Sequence, residues 1–143
     1  MDQLKLKHSI PIQLRFNDID QFGHVNNSVY FSFYDLGKTS YFASVCPHVD
    51  WNKDAIMVVH IDIDFREQIY ASNRIAVQTT VTEIGNKSFH LYQRVVDLQT
   101  NQIKCECKSI MVTYDLENQC TKRFPDDWRA AISEFEGRDF NRK

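Results

Sequence analysis

Ser28-Val29-Tyr30-Phe31-Ser32-Phe33-Tyr34-Asp35-Leu36-Gly37-Lys38-Thr39-Ser40-Tyr41-Phe42-Ala43-Ser44-Val45 is the stretch on which the reading of this chain turns. Its apolar and aromatic residues nearly encircle a helix: Val29, Tyr30, Phe31, Phe33, Tyr34, Leu36, Tyr41, Phe42 and Val45. A helix that is apolar on almost every side is buried and does not ride a surface. Asn26, Asn27 or Ser28 can cap its start, because each has a side-chain oxygen that can accept a free amide of the first turn. Gly37 sits mid-helix, at a cost of about 1 kcal/mol relative to Ala. It marks a place where the helix lies close against a sheet.

The flanks supply that sheet. Upstream, Ile10–Phe16 reads as a strand with Ile10, Ile12, Leu14 and Phe16 alternating, followed by a polar turn from Asn17 to Asn27. Downstream come four strand-like runs: Ile56–Phe65, Arg74–Ile84, Lys87–Leu98 and Ile103–Tyr114. In the first, Met57, Val59, Ile61, Ile63 and Phe65 are expected on one face and His60, Asp62 and Asp64 on the other. The links Gly85-Asn86 and Gln99–Gln102 are hairpin-short, so the last three strands should be antiparallel neighbours. A terminal helix, Pro125–Phe135, is opened by Pro125 with Asp126 and Asp127 in its first turn and is closed by Gly137. The expected class is α+β, an antiparallel sheet of about five strands wrapped around one long buried helix. Such a layer leaves edge strands and one sheet face open, and oligomerisation is the usual remedy.

Composition narrows the function. Hydrophobic residues are 43% and charged residues 25% of 143, a globular balance, with only 4 Gly and 3 Pro and no linker or repeat. One domain spanning 1–143 is expected, with its folded body from about His8 to Phe135. The formal net charge of -2 gives no bulk attraction to nucleic acid. Met1–Lys7 lacks the apolar run of a signal peptide, and no stretch approaches a membrane span, so the expected home is the cytoplasm. The four cysteines form no C-x-x-C and read as reduced, mostly buried thiols, with Cys105 and Cys107 on one strand face.

The chemistry concentrates in Arg15-Phe16-Asn17-Asp18-Ile19-Asp20-Gln21-Phe22-Gly23-His24-Val25-Asn26-Asn27-Ser28-Val29-Tyr30. This segment resembles the signature of the 4-hydroxybenzoyl-CoA thioesterase-like branch of the hotdog superfamily: a D-x-D pair, a Gly, a His-Val-Asn-Asn and an aromatic on the helix. The order of elements is similar to the hotdog fold over about the whole chain. The resemblance implies hydrolysis of acyl-CoA thioesters, with Asp20 as the catalytic carboxylate, either nucleophile or general base. Thioester hydrolysis needs an attacking oxygen and a donor for the developing oxyanion. The helix start supplies unpaired N–H groups, and the resemblance puts the key one near Asn27. Asp18 reads as a structural partner for turn amides or Arg15. His24 has two readings, a group that orients water or steadies the leaving thiolate, or a turn residue whose ring bonds backbone. Gly23 and Tyr30 are expected to border the substrate. Where the family's best-known member has Pro-Ala-Gly-Ile-Val-Trp-Tyr after the second Asp, this chain has Gln21-Phe22-Gly23-His24-Val25-Asn26-Asn27. That moves the expected substrate from an aromatic acyl-CoA to the broader acyl-CoA group.

A second match is Gly85-Asn86-Lys87-Ser88-Phe89. In the family the corresponding hairpin ends in Lys-Ser and meets the phosphates of CoA, so Lys87 and Ser88 carry over, while the two arginines before them are Gly85 and Asn86 here. No cofactor is expected beyond CoA as part of the substrate, and no nucleic-acid or membrane partner. The polar residues His60, Asp62 and Asp64 read as a solvent or subunit-contact face and not as a metal site. Assembly as a homo-oligomer, dimer or tetramer, with active sites between subunits, is expected. The rival readings are a hotdog hydratase or dehydratase and a non-enzymatic acyl-CoA-binding module.

Overall fold

The computed structural model describes residues 6–140. The ends of the expected 1–143 domain, including the Met1–Lys5 part of the N-terminal segment, lie outside the described residues. The elements are β1 (His8–Ile12), α1 (Tyr30–Val45), β2 (Asp54–Phe65), β3 (Ile75–Ile84), β4 (Ser88–Asp97), β5 (Ile103–Asp115), β6 (Cys120–Thr121) and α2 (Asp126–Glu136). Short 3-10 turns at Phe16–Asp18 and Asn27–Val29 join β1 to α1. The sheet runs β1-β3-β4-β5-β2, antiparallel throughout, with the two-residue β6 added to β5. This is the expected hotdog arrangement, and β3, β4 and β5 are antiparallel neighbours as their short links require.

Two apolar clusters stand on the concave face. One holds Tyr41, Phe42, Phe89, Met111 and Phe124 and is closed by Trp128 and Ile132 of α2. The other holds Val25, Tyr30, Phe33, Ile69, Ile75 and Val77, and it underlies the Asp20 turn. Between them Gly37 lets α1 settle onto β3: a Cβ there would meet Val77 Cγ1 at 2.6 Å. The close approach expected at Gly37 is therefore present. Helix α2 begins after Pro125 and ends at Gly137, whose φ is 70°. Cys46, Cys105 and Cys107 are buried free thiols, and Cys120 is exposed.

Three expectations need correction. The first strand ends at Ile12, not Phe16, because its ladder partner β3 begins at Ile75, directly opposite Ile12. Beyond it Asp18 accepts the Arg15 N–H at 2.8 Å and turns the chain, leaving Phe16 93% exposed. Secondly, β2 does not keep one apolar face. Val58 pairs with Met111 and His60 with Ile110, so Val59 is an unpaired bulge that reverses the alternation. Ile56, Val58, Ile61, Ile63 and Phe65 sit opposite residues that include the buried Met111, Cys107 and Cys105 and face inward, while Met57 falls on the outer side with His60, Asp62 and Asp64. Thirdly, the sheet does not fully enclose α1. It packs on β3 and β1, and Phe31 and Leu36 remain 48% and 53% exposed.

Candidate active site

The D-x-D segment is a small folded unit. Asp18 is buried. Its Oδ1 accepts from Arg15 Nη2 at 2.9 Å, and its Oδ2 accepts from the Arg15 N–H at 2.8 Å. Burial pushes this carboxyl up, but the Arg15 hydrogen bonds and charge outweigh it and hold Asp18 below the usual carboxylate range. Asp18 thus has the structural role expected of it. Asp18→Asn should cost about 1.5–3 kcal/mol, the range for hydrogen bonds to a charged group. A depressed folded pKa gives stability that is complete above the unfolded value and lost as pH falls through the folded one. The gap between wild type and Asp18→Asn in denaturant titrations should therefore be constant from about pH 5 to 8 and shrink below about pH 4. A gap of the same size at about pH 2.5 would contradict this account.

Asp20 caps the next turn. Its Oδ1 accepts from the N–H of Phe22 at 2.9 Å and of His24 at 3.2 Å. The main chain closes the same loop, Asp20 N–H to His24 O at 2.8 Å and Gly23 N–H to Asp20 O at 3.0 Å. Gly23 has φ 82° and open space where a Cβ would stand, so its visible contribution is the left-handed backbone of this loop. The second oxygen, Asp20 Oδ2, accepts no hydrogen bond among the described residues. Asp20 is half-buried, so that oxygen is held in place by its twin and left free.

His24 bridges to Tyr70, and their rings meet edge-on at 5.0 Å. Its ring bonds no backbone group among the described residues, unlike the turn-residue reading of the sequence. Asn26 caps the start of the helical segment, its Oδ1 accepting from Ser28 N–H and Ser28 Oγ–H at 3.0 Å each. Asn27 accepts the Tyr30 N–H on its carbonyl, while its own N–H has no acceptor among the described residues. A pocket of about 160 Å³ opens there, lined by Asn27, Tyr30, Phe65, Arg66, Glu67 and Gln68. Tyr30 is buried, with its ring edge-on to Phe65 at 5.0 Å, and burial pushes its hydroxyl up to about 12.

Asp20, Gly23 and His24 share one turn, Asn27 and Tyr30 line the pocket a few residues further along the chain, and Lys87 and Ser88 stand apart from both. The D-x-D unit follows the Ile75 end of β3, whereas the hairpin carrying Lys87 lies past Ile84 at the other end. At roughly 3.3 Å per residue, the two are about 30 Å apart within one chain. The hairpin is tied to the C-terminal region: Phe124 N–H donates to Asn86 O at 2.8 Å and Arg129 Nη2 to Gly85 O at 2.8 Å. The residues that sequence reasoning missed are Phe65 to Gln68 and Tyr70. They reach the site because Val25 N–H bonds Ile69 O at 2.8 Å, a crossing with no local sequence mark. No group of three or more His, Cys, Asp or Glu suited to a metal ion occurs among the described residues.

A family profile described as the thioesterase-like superfamily matches residues 14–132. The chain belongs to the thioesterase-like superfamily. Membership supports thioester hydrolysis as the reaction class. Among similar proteins, the acyl-acyl carrier protein thioesterase ATL2, chloroplastic, of Arabidopsis thaliana is 26% identical over 132 residues, 90% of this chain and 70% of that protein. The PA5185 protein of Pseudomonas aeruginosa superposes with a TM-score of 0.82 at 22% identity, covering 91% of this chain and 92% of that one. A thioesterase from Thermus thermophilus, crystallised with coenzyme A and Zn, superposes with a TM-score of 0.79 at 24% identity over 91% of this chain and 94% of that one. These likenesses show the fold. No described helix is long and apolar enough to cross a membrane.

Proposed function

We propose that the protein hydrolyses acyl-CoA thioesters to the free acid and CoA, with Asp20 as the catalytic carboxylate. One observation carries this reading: Asp20 is anchored through Oδ1 alone, and its free Oδ2 belongs to the same short segment as the unpaired Asn27 N–H. A thioester carbonyl resting on that N–H has its developing oxyanion met by a fixed donor. As general base, Asp20 takes a proton from water while the water oxygen attacks the carbonyl carbon; the C–S bond then breaks and the thiolate leaves to take up a proton. As nucleophile, Asp20 Oδ2 attacks the carbonyl carbon, the C–S bond breaks and the thiolate leaves to take up a proton, and water hydrolyses the resulting anhydride to the free acid and the Asp20 carboxylate in a second step. His24, whose ring makes no hydrogen bond among the described residues, is the group that orients the water or steadies the thiolate. Gly23 and Tyr30 border the acyl-thioester end.

The separation of Lys87 and Ser88 from Asp20 fits a dimer. β2 is an edge strand, and Met57, Val58, Val59, Ile61 and Phe65 on it are exposed. Two copies joined antiparallel along β2 bring the Phe65 end of one, with Asn27 and Tyr30, against the Asp54 end of the other. The hairpin belongs to that second end, since Thr113, the ladder partner of Ile56, donates its N–H to Lys87 O at 3.0 Å. Lys87 and Ser88 of one copy then face the CoA phosphates of a substrate held by the other. The minimum unit is a dimer, doubled to a tetramer. Equilibrium sedimentation should find no stable monomer at micromolar concentration; a monomer there contradicts the shared site.

The direct test is thiol release from short, medium, long and aromatic acyl-CoAs, with and without a chelator. Turnover unaffected by chelator is expected, and release from none of them overturns the proposal. A second reading is cleavage of acyl groups from acyl carrier protein, favoured by what the Arabidopsis relative is named for. Acyl carrier protein substrates in the same panel separate the two.

A further inference from the structure

The concave side of the sheet is only partly covered. Because α1 lies on β3 and β1, the inward side of β2 stays open. Toward the Asp54 end this opening deepens into a groove of about 520 Å³ between α1 and β2, with Thr39, Phe42, Ala43, Trp51, Ala55 and Ile56 in its walls. The size falls within the range of small-molecule pockets. The two charged residues that also line it are already paired. Lys38 Nζ lies 3.3 Å from Asp35, and Asp54 accepts from Lys122 Nζ at 2.7 Å. No unpaired charge is left for a polar ligand, so the occupant that gains most is an uncharged hydrocarbon chain. Trp51 is the bulkiest wall. Its ring stands edge-on to Phe42 at 6.1 Å and tilted on Trp128 at 5.9 Å, and Trp128 packs on Phe124 at 5.6 Å. A wall backed by a buried aromatic stack does not yield easily to a longer chain.

We propose that this groove is the acyl-chain pocket, that Trp51 sets the chain length it accepts, and that the thioester is presented by Asp20 and Asn27 of a second copy of this chain. The inference rests on the hydrolase and dimer readings above. Reach decides between the two copies. From Asn27 to Phe42 along one helix is about 22 Å at roughly 1.5 Å per residue, so a short or medium acyl chain whose carbonyl sits on its own Asn27 N–H falls short of Phe42. Antiparallel pairing along β2 sets the Asn27 end of the other copy beside the groove instead.

Two substitutions should move the chain-length profile in opposite directions. Trp51→Ala should raise kcat/KM about tenfold for an acyl-CoA about four carbons longer than the wild-type optimum. Ala43→Phe, which fills the same groove, should shift the optimum to shorter chains, with about fourfold lost for each methylene that no longer fits. Melting curves and sedimentation on both variants show that the dimer is intact. Mixed dimers test who presents the substrate. When Asp20→Asn protein is re-associated with Trp51→Ala protein, a site built from two chains recovers the wild-type profile, because one site then holds an intact Asp20 and an intact Trp51. A site built within one chain leaves only the Trp51→Ala profile, and that result overturns the proposal. So do unchanged profiles in both single variants while wild type turns over, and in that case the hydrolase reading stands. If wild type cleaves no acyl-CoA yet its tryptophan fluorescence still responds to acyl-CoA and not to CoA, and Trp51→Phe loses the response, the hydrolase reading fails and the acyl pocket survives.

Discussion

Asp20→Asn should lower kcat by about 100- to 10,000-fold, the range for a lost general base, and by more if the carboxylate is a nucleophile. KM should stay nearly unchanged, because Lys87 and Ser88, the residues proposed to meet CoA, are untouched. That split marks an interaction made only in the transition state. The substitution is well suited to the site. An asparagine keeps a carbonyl oxygen to accept the Phe22 and His24 N–H groups, so the turn is preserved, and only the chemistry of the free Oδ2 is lost. The melting temperature and dimer should match wild type. Folded, dimeric Asp20→Asn protein that cleaves its best substrate within about tenfold of wild type would reduce Asp20 to a turn residue. His24 would then be the next candidate. Label found in Asp20 after single turnover in ¹⁸O-water would identify a nucleophile, since a general base exchanges no oxygen with water.

The parts of this molecule that were legible in the sequence are those governed by local pattern. The Val, Ile, Thr and aromatic content of Arg74–Ile84 and Ile103–Tyr114 and the short links between strands dictate the antiparallel core, and the structure keeps these runs within a residue or two. The near-encircling apolar run with a central Gly dictates a helix pressed on a sheet. Asp18 was legible because its role is local too: Asp18 and Arg15 lie within one turn of chain. What the sequence hid depends on partners. The end of β1 is set by where β3 begins. The Val59 bulge is invisible because Val59 looks like any inward strand residue; only the slip between Val58–Met111 and His60–Ile110 reveals it. That slip matters, since it turns Val58 to the same side as the buried Met111 and leaves Met57 on the other. The open face of α1 at Phe31 and Leu36 was likewise hidden, because an all-round apolar helix looks the same whether covered by its own sheet or by another chain.

Gly37→Ala should destabilise the protein, opposite to its effect in an ordinary helix. At an exposed helical site the change would gain about 1 kcal/mol from propensity. Here the new methyl would stand 2.6 Å from Val77 Cγ1, 2.9 Å from Thr79 Oγ1 and 3.0 Å from Gln93 Nε2. None of these can easily give way. Val77 is fully buried and stiff at χ1, and β3 is fixed between β1 and β4. Gln93 Nε2 donates to Tyr34 O at 2.9 Å and Thr79 Oγ1 at 3.0 Å, and Gln93 and Thr79 are buried, so displacing the amide strands polar groups. Overpacking of this kind costs about 1–3 kcal/mol or more, which exceeds the propensity gain. A fall in Tm of roughly 3–8 °C is expected. The cause can be isolated with Val77→Ala, which removes the closest obstacle. The double variant should be more stable than the sum of the two single losses allows, by about 0.5–3 kcal/mol of coupling. The effect should also reach the active site, because lifting the middle of α1 from β3 tilts the segment that presents Asn27. Gly37→Ala should therefore lower kcat, and the double variant should recover part of it. A Gly37→Ala protein that melts at or above wild type would mean that α1 does not rest on β3 at this distance, and the packing that positions the Asn27 N–H would need another account.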